Sequence, residues 1–270
     1  MRNRIIVALV GIPLALVVFF ALPPWCLLVA VTGLSLIGTY EVLWKTKFID
    51  NIFVLCWSLL TPLVLPFWIS VRLAQAPAVI FLFIFVVVLF LFGMASPERL
   101  PFEKISGVFF AAFIIPFLFS SLIRIFGFEH GRILILIPFC AAWACDAFAF
   151  FIGRLFGRHK LIPKVSPNKT VEGAIGGTAG AVIGLVVMGL VLQYGFVYEV
   201  NILRLAIYGL VCAFTAQIGD LSMSYIKREY RIKDYGMIMP GHGGVLDRFD
   251  SVLFTAPIAQ ILIMLFPAIR

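Results

Sequence analysis

The apolar positions of the chain fall into nine long runs, at about residues 5–22, 25–41, 52–70, 78–95, 107–123, 133–153, 173–195, 203–226 and 251–268. The runs are continuous, not alternating. Ala78–Met94, for example, carries no charge at all. A helix needs roughly 20 apolar residues to cross a bilayer, so these runs predict transmembrane α-helices and argue against a β-barrel. Arg2 and Arg4 ahead of the first run imitate a signal peptide. That run is long for such a peptide, however, and Pro23-Pro24-Trp25 follows it where a cleavage site would stand. The expectation is an all-α fold: a polytopic membrane protein of about nine transmembrane helices, with the N-terminus cytoplasmic and no separate soluble domain.

Charge supports the same count. Of the 21 Lys and Arg residues, Arg72, Arg124, Arg132, Arg204 and Arg270 fall on the loops expected outside. The rest sit on the alternate set, with the N-terminus, which the positive-inside rule places in the cytoplasm. The net charge of +8 therefore reads as orientation bias, and nucleic acid is not an expected partner. The composition is 63% hydrophobic and 13% charged, against about 45–50% and about 25% in soluble domains. Cys26, Cys56, Cys140, Cys145 and Cys212 form no CxxC pair and read as small packing residues. Gly176, Gly180 and Gly184 recur every four residues in the seventh run, a spacing that lets helices approach closely, within one chain or across a homodimer.

Two acids fall inside apolar runs, Asp146 in the sixth and Asp220 in the eighth. Ionisable residues in membrane helices are costly and mark functional sites by default. Both lie toward the cytoplasmic ends of their spans, where the two most basic loops emerge. On the eighth span Asp220, Ser224 and Arg228 follow at i, i+4 and so share one stripe, with Lys227 alongside. The loop after it holds His242, Gly243 and Gly244 and then Asp247, Arg248 and Asp250. Glycine backbone can present N–H groups to phosphate oxygens. One of the two carboxylates suits a helix cap, and together they suit Mg²⁺. The loop after the sixth span offers Ser166, Lys169 and Thr170, groups that suit a phosphate. From residues alone, the reading is a Mg²⁺-dependent site for phosphates at the cytoplasmic face.

Ser224-x-Ile226-Lys227-Arg228, then Lys233-Asp234-x-Gly236, then Pro240-x-His242-Gly243-Gly244-Val245-x-Asp247-Arg248-Phe249-Asp250 closely resembles the signature of the phosphatidate cytidylyltransferases, or CDP-diacylglycerol synthases. Met239 stands where the pattern has Leu, Ile or Phe, a conservative change. Upstream, Asp146 with Gly153-Arg154 and the run Ser166–Gly173 resemble a second block of the family, with Asn168 where many members have Lys. The specific resemblance covers about the C-terminal half. It divides the chain into generic transmembrane helices, residues 1–95, and a catalytic transmembrane region, residues 96–270, with cytoplasmic loops 154–172 and 227–250.

The resemblance implies a nucleotidyltransferase of phospholipid biosynthesis in the inner membrane. Its partners are CTP, phosphatidate and membrane lipid, and its cofactor is Mg²⁺, with room for a second metal ion. It implies metal ligands at Asp220, Asp247, Asp250 and Asp146, phosphate contacts at Lys227, Arg228, Lys233 and Arg248, and substrate contacts at Ser166, Lys169, Thr170 and Ser224. His242, Gly243 and Gly244 shape the substrate loop. A CTP-dependent lipid kinase is the nearest alternative, and an ion or anion transporter the non-enzymatic one.

Overall fold

The computed structural model describes residue 11 and residues 13–71, 75–236 and 243–269. Among them, eight helices are long and apolar enough to cross a membrane: α1 (Pro24–Lys45), α2 (Ile52–Ser70), α3 (Ala76–Ala95), α4 (Phe102–Phe126), α5 (Gly131–Phe156), α6 (Val171–Gly195), α7 (Ile202–Glu229) and α8 (Leu246–Leu265). Each coincides with an expected span. The first expected run, 5–22, lies partly outside the described residues, and residues 13–21 of it are helical. The chain is an all-α, multi-pass membrane protein. Helix is the outcome because lipid offers no partner for a backbone N–H or C=O, so each run must satisfy its own. A short hairpin, β1 (Lys160–Ile162) and β2 (Ser166–Thr170), interrupts the helices, with Lys160 opposite Thr170 and Ile162 opposite Ser166.

Helix starts are set by side-chain caps. Asn51 accepts from Phe53 N at 2.8 Å at the start of α2. Thr170 Oγ1 accepts from Gly173 N at 3.1 Å at the start of α6, and Asn201 from Arg204 N at 3.0 Å at that of α7.

The chain packs as two compact units. The first takes in the described residues of Met1–Ile123 and of Ile232–Asp247. Its α1 packs on α2 and α4 around Leu43, Val108, Ile115 and Phe119, all fully buried. Thr39 Oγ1 donates to the Ala111 carbonyl at 3.1 Å across that seam. The expected boundary between residues 95 and 96 is one of resemblance, not packing, and it falls inside this unit.

The second unit takes in Arg124–Arg231 with the described residues of Arg248–Arg270. Here α5, α6 and α7 pack against one another, and glycine makes the packing possible. A Cβ on Gly177 would stand 2.8 Å from the Cys145 carbonyl oxygen, and one on Gly184 would stand 3.0 Å from Ala144 Cβ. Gly176 faces Ile152 and Gly180 faces Phe148 just as closely. The small-residue face of α6 is thus taken by α5 of the same chain, and a homodimer would have to use another surface. On α7, Gly209 admits the Val182 backbone and Gly219 admits the Asp250 carbonyl.

Candidate active site

The second unit gathers three carboxylates. Asp220 lies on α7, and Ser224, one turn on, donates to its Oδ1 at 3.2 Å. Lys169, at the end of β2, reaches the other oxygen: Nζ to Asp220 Oδ2 is 2.6 Å. Asp146 lies on α5 and accepts from Ser251 Oγ at 3.1 and 3.3 Å on its two oxygens. Asp250, buried on α8, holds Ser251 N with Oδ1 at 2.8 Å. Each of Asp146 and Asp250 feels the charge of Asp220, and Asp250 that of Asp146 as well. Gln217, one turn before Asp220, donates to Ala174 O and Thr178 Oγ1, both at 3.1 Å, which fixes α7 against α6.

A pocket of about 560 Å³ opens beside this group. Asp146, Lys169, Gln217 and Asp220 supply polar wall, Phe150 and Leu161 apolar wall, and Arg154 and Asn168 also line it. The hairpin is held in place from both ends. Arg228 Nε donates to the Val165 carbonyl at 3.2 Å. Glu172 accepts the N–H groups of Arg158 and His159 at 3.1 and 3.2 Å and pairs with His159 Nδ1 at 2.6 Å. Thr170 is buried as the cap of α6, with Gly153 and Gly157 giving it room. Ser166 pairs with Ile162 in the hairpin. Lys227 is buried on α7, while Arg228 and Arg248 are exposed at α7 and α8 respectively.

The first unit holds the glycine loop. Gly243 has φ +83°, a left-handed conformation that favours glycine. Asp247 Oδ2 accepts from Tyr235 N at 2.8 Å and Gly244 N at 2.9 Å. Glu41, fully buried on α1, accepts from Val245 N at 2.9 Å and Leu246 N at 2.8 Å. The glycine-rich backbone was expected to face phosphate. The N–H groups of Gly244, Val245 and Leu246 face protein carboxylates instead. Lys233 is exposed in this loop, and His242 lies outside the described residues.

Sequence reasoning missed Glu41 and Ser251. Glu41 closes the second expected run, at 25–41, although Val42, Leu43 and Trp44 continue the apolar stretch past it. Ser251 carries no signal beyond standing next to Asp250.

Among the described residues, no three His, Cys, Asp or Glu side chains converge closely enough to hold a metal ion. Asp146, Asp220 and Asp250, with Ser224 and Ser251 hydrogen-bonded to them, offer only oxygen donors. That is the chemistry of a hard divalent cation and not of a thiolate or imidazole metal.

The cytidylyltransferase family matches residues 2–266. The phosphatidate cytidylyltransferase of Rickettsia prowazekii (strain Madrid E) is 41% identical over 162 residues, which is 59% of this chain and 71% of that protein. Proteins of the same name from Rickettsia typhi (strain ATCC VR-144 / Wilmington) and Bacillus subtilis (strain 168) are 45% and 39% identical, over 54% and 61% of this chain. The chain spans 64% and 60% of the lengths of those two. With a match from residue 2 to residue 266, and with membrane helices and an acidic, lysine-bearing pocket in place, the chain belongs to the cytidylyltransferase family.

Proposed function

We propose that this protein transfers the cytidylyl group of CTP to phosphatidate, giving CDP-diacylglycerol and pyrophosphate. The reaction serves phospholipid biosynthesis at the cytoplasmic face of the inner membrane. The observation that carries the reading is the Lys169–Asp220 pair beside Asp146, in a pocket with both polar and apolar walls, within a chain of this family. A phospholipid acid has the same two characters. An ionised phosphate oxygen of phosphatidate attacks the α-phosphorus of CTP, the bond from that phosphorus to the bridging oxygen breaks, and pyrophosphate leaves with the electron pair. A phosphate monoester is largely ionised near neutral pH, its second pKa being about 6, so the attack needs no general base. It needs two anions brought together and a third one released, which is positioning and charge neutralisation.

Lys169, Lys227, Arg228, Lys233 and Arg248 supply positive charge to the phosphates. Ser224 and Gln217 orient Asp220 and its helix, and Ser166 and Thr170 hold the hairpin that carries Lys169. One or two of Asp220, Asp250 and Asp146 would hold Mg²⁺ together with substrate phosphate oxygens, with room for a second ion. Asp247, with Oδ2 committed to two backbone N–H groups, is the weaker ligand. When bound, the metal would offset phosphate charge and polarise the α-phosphate. Asp220→Asn and Asp250→Asn, assayed with radiolabelled CTP and phosphatidate in detergent, each lower turnover by about a hundredfold or more. Near-native turnover in both would sink the assignment.

A further inference from the structure

Glu41 has no part in the chemistry above, yet both of its carboxylate oxygens are engaged. It sits on α1 at 0% exposure, where the helix widens into a π-turn over Glu41–Lys45. Such turns are frequent at functional sites. A buried carboxylate is costly unless hydrogen bonds answer it. Here each oxygen has its own backbone donor, Val245 N on Oε1 and Leu246 N on Oε2. These are N–H groups at the opening of α8, which find no partner inside the helix and which favour a negative charge. Gly244 and Gly236 make room for the carboxylate. A Cβ on Gly244 would stand 2.5 Å from Oε1, and one on Gly236 would stand 2.8 Å from it. Three residues earlier in α1, Gly38 faces the Leu246 side chain. One segment of α1 therefore grips the first residue of α8 by both backbone and side chain.

We infer that Glu41 is a positioning residue for the transfer reaction. Its carboxylate fixes the backbone from Gly244 to Leu246, and through it the start of α8 and the Asp247 side chain. This rests on the proposed reading in which Arg248 and Asp250, in the first turns of α8, serve the reacting phosphates. The fork matters as well as the charge. Glutamine has one acceptor, and its NH₂ would meet a backbone N–H donor to donor. Aspartate keeps both oxygens on a stem one methylene shorter.

The test uses the purified full chain as wild type, Glu41→Gln and Glu41→Asp. It reads kcat, both KM values, melting temperature, and hydrogen exchange of the peptide covering residues 243–247. For Glu41→Gln, kcat falls about tenfold or more. KM for CTP and for phosphatidate stays within about threefold, and exchange at 243–247 quickens. Glu41→Asp recovers part of both losses, and it carries the comparison should the Gln variant fail to fold. A lower melting temperature with kcat per folded molecule unchanged would overturn the inference, as would unchanged exchange. Failure of the wild type to move the α-phosphate of CTP into lipid would overturn the underlying reaction instead, and exchange would still show whether Glu41 holds the loop.

Discussion

The 2.6 Å contact between Lys169 and Asp220 places a cation from a loop hairpin against the carboxylate of a membrane helix. Removing it leaves Asp220 without its lysine and, on the proposed reading, takes one positive charge from the substrate phosphates. Lys169→Ala is expected to lower kcat/KM about 10- to 100-fold with the melting temperature little changed. A loss under twofold in the labelled-CTP assay would remove Lys169 from the site. Thr170 tests a different property. It is buried and caps α6, so Thr170→Ala should cost about 1 kcal/mol of stability, with Thr170→Ser retaining it, both read by thermal melting. At this scale Asp146 and Asp220 were legible because an acid in an apolar run stands out. Ser224, one turn on from Asp220, was legible as its neighbour, but the partners from elsewhere in the chain were not. Ser251 and Lys169 come from other elements, and no spacing in the sequence brings them to those carboxylates. Glu41 was overlooked because it stands at the end of its run.

Among elements, the eight helices were legible from apolar length, since lipid leaves a run of that kind no other structure. The glycines at 176, 180 and 184 were legible as a packing face, and the structure shows that α5 is what they pack against. Gly177 extends that face toward a backbone oxygen, the Cys145 carbonyl, that cannot withdraw. Gly177→Val is expected to destabilise the fold by about 1–3 kcal/mol, seen as a lower melting temperature in detergent. An unchanged melting temperature would mean that α5 and α6 can part at little cost. The hairpin β1–β2 was read only as a basic loop, because its strands are too short to show a period. The glycine loop shows a subtler limit. Its spacing reveals that something must approach the backbone closely, but not what. In the structure the approaching groups are the carboxylates of Glu41 and Asp247.

Across the whole molecule, the charge asymmetry of the loops is the feature that assigns a side of the membrane. On the proposed orientation the basic loop with Arg158, Lys160, Lys164 and Lys169 faces the cytoplasm, and the segment around Val197 lies outside. In a cysteine-free background, Lys160→Cys should react with an impermeant thiol reagent only when the cytoplasmic side is open to it. Val197→Cys should react from the other side. The reverse pattern would invert the topology and move the proposed site away from cytoplasmic CTP. The central claim is the identity of the group transferred. Its direct test is purified protein with phosphatidate, Mg²⁺ and CTP labelled at both the α- and γ-phosphates. The account predicts α-label in the lipid and γ-label released as pyrophosphate. Label from the γ-position in the lipid, with CDP released, would make the protein a lipid kinase and contradict it.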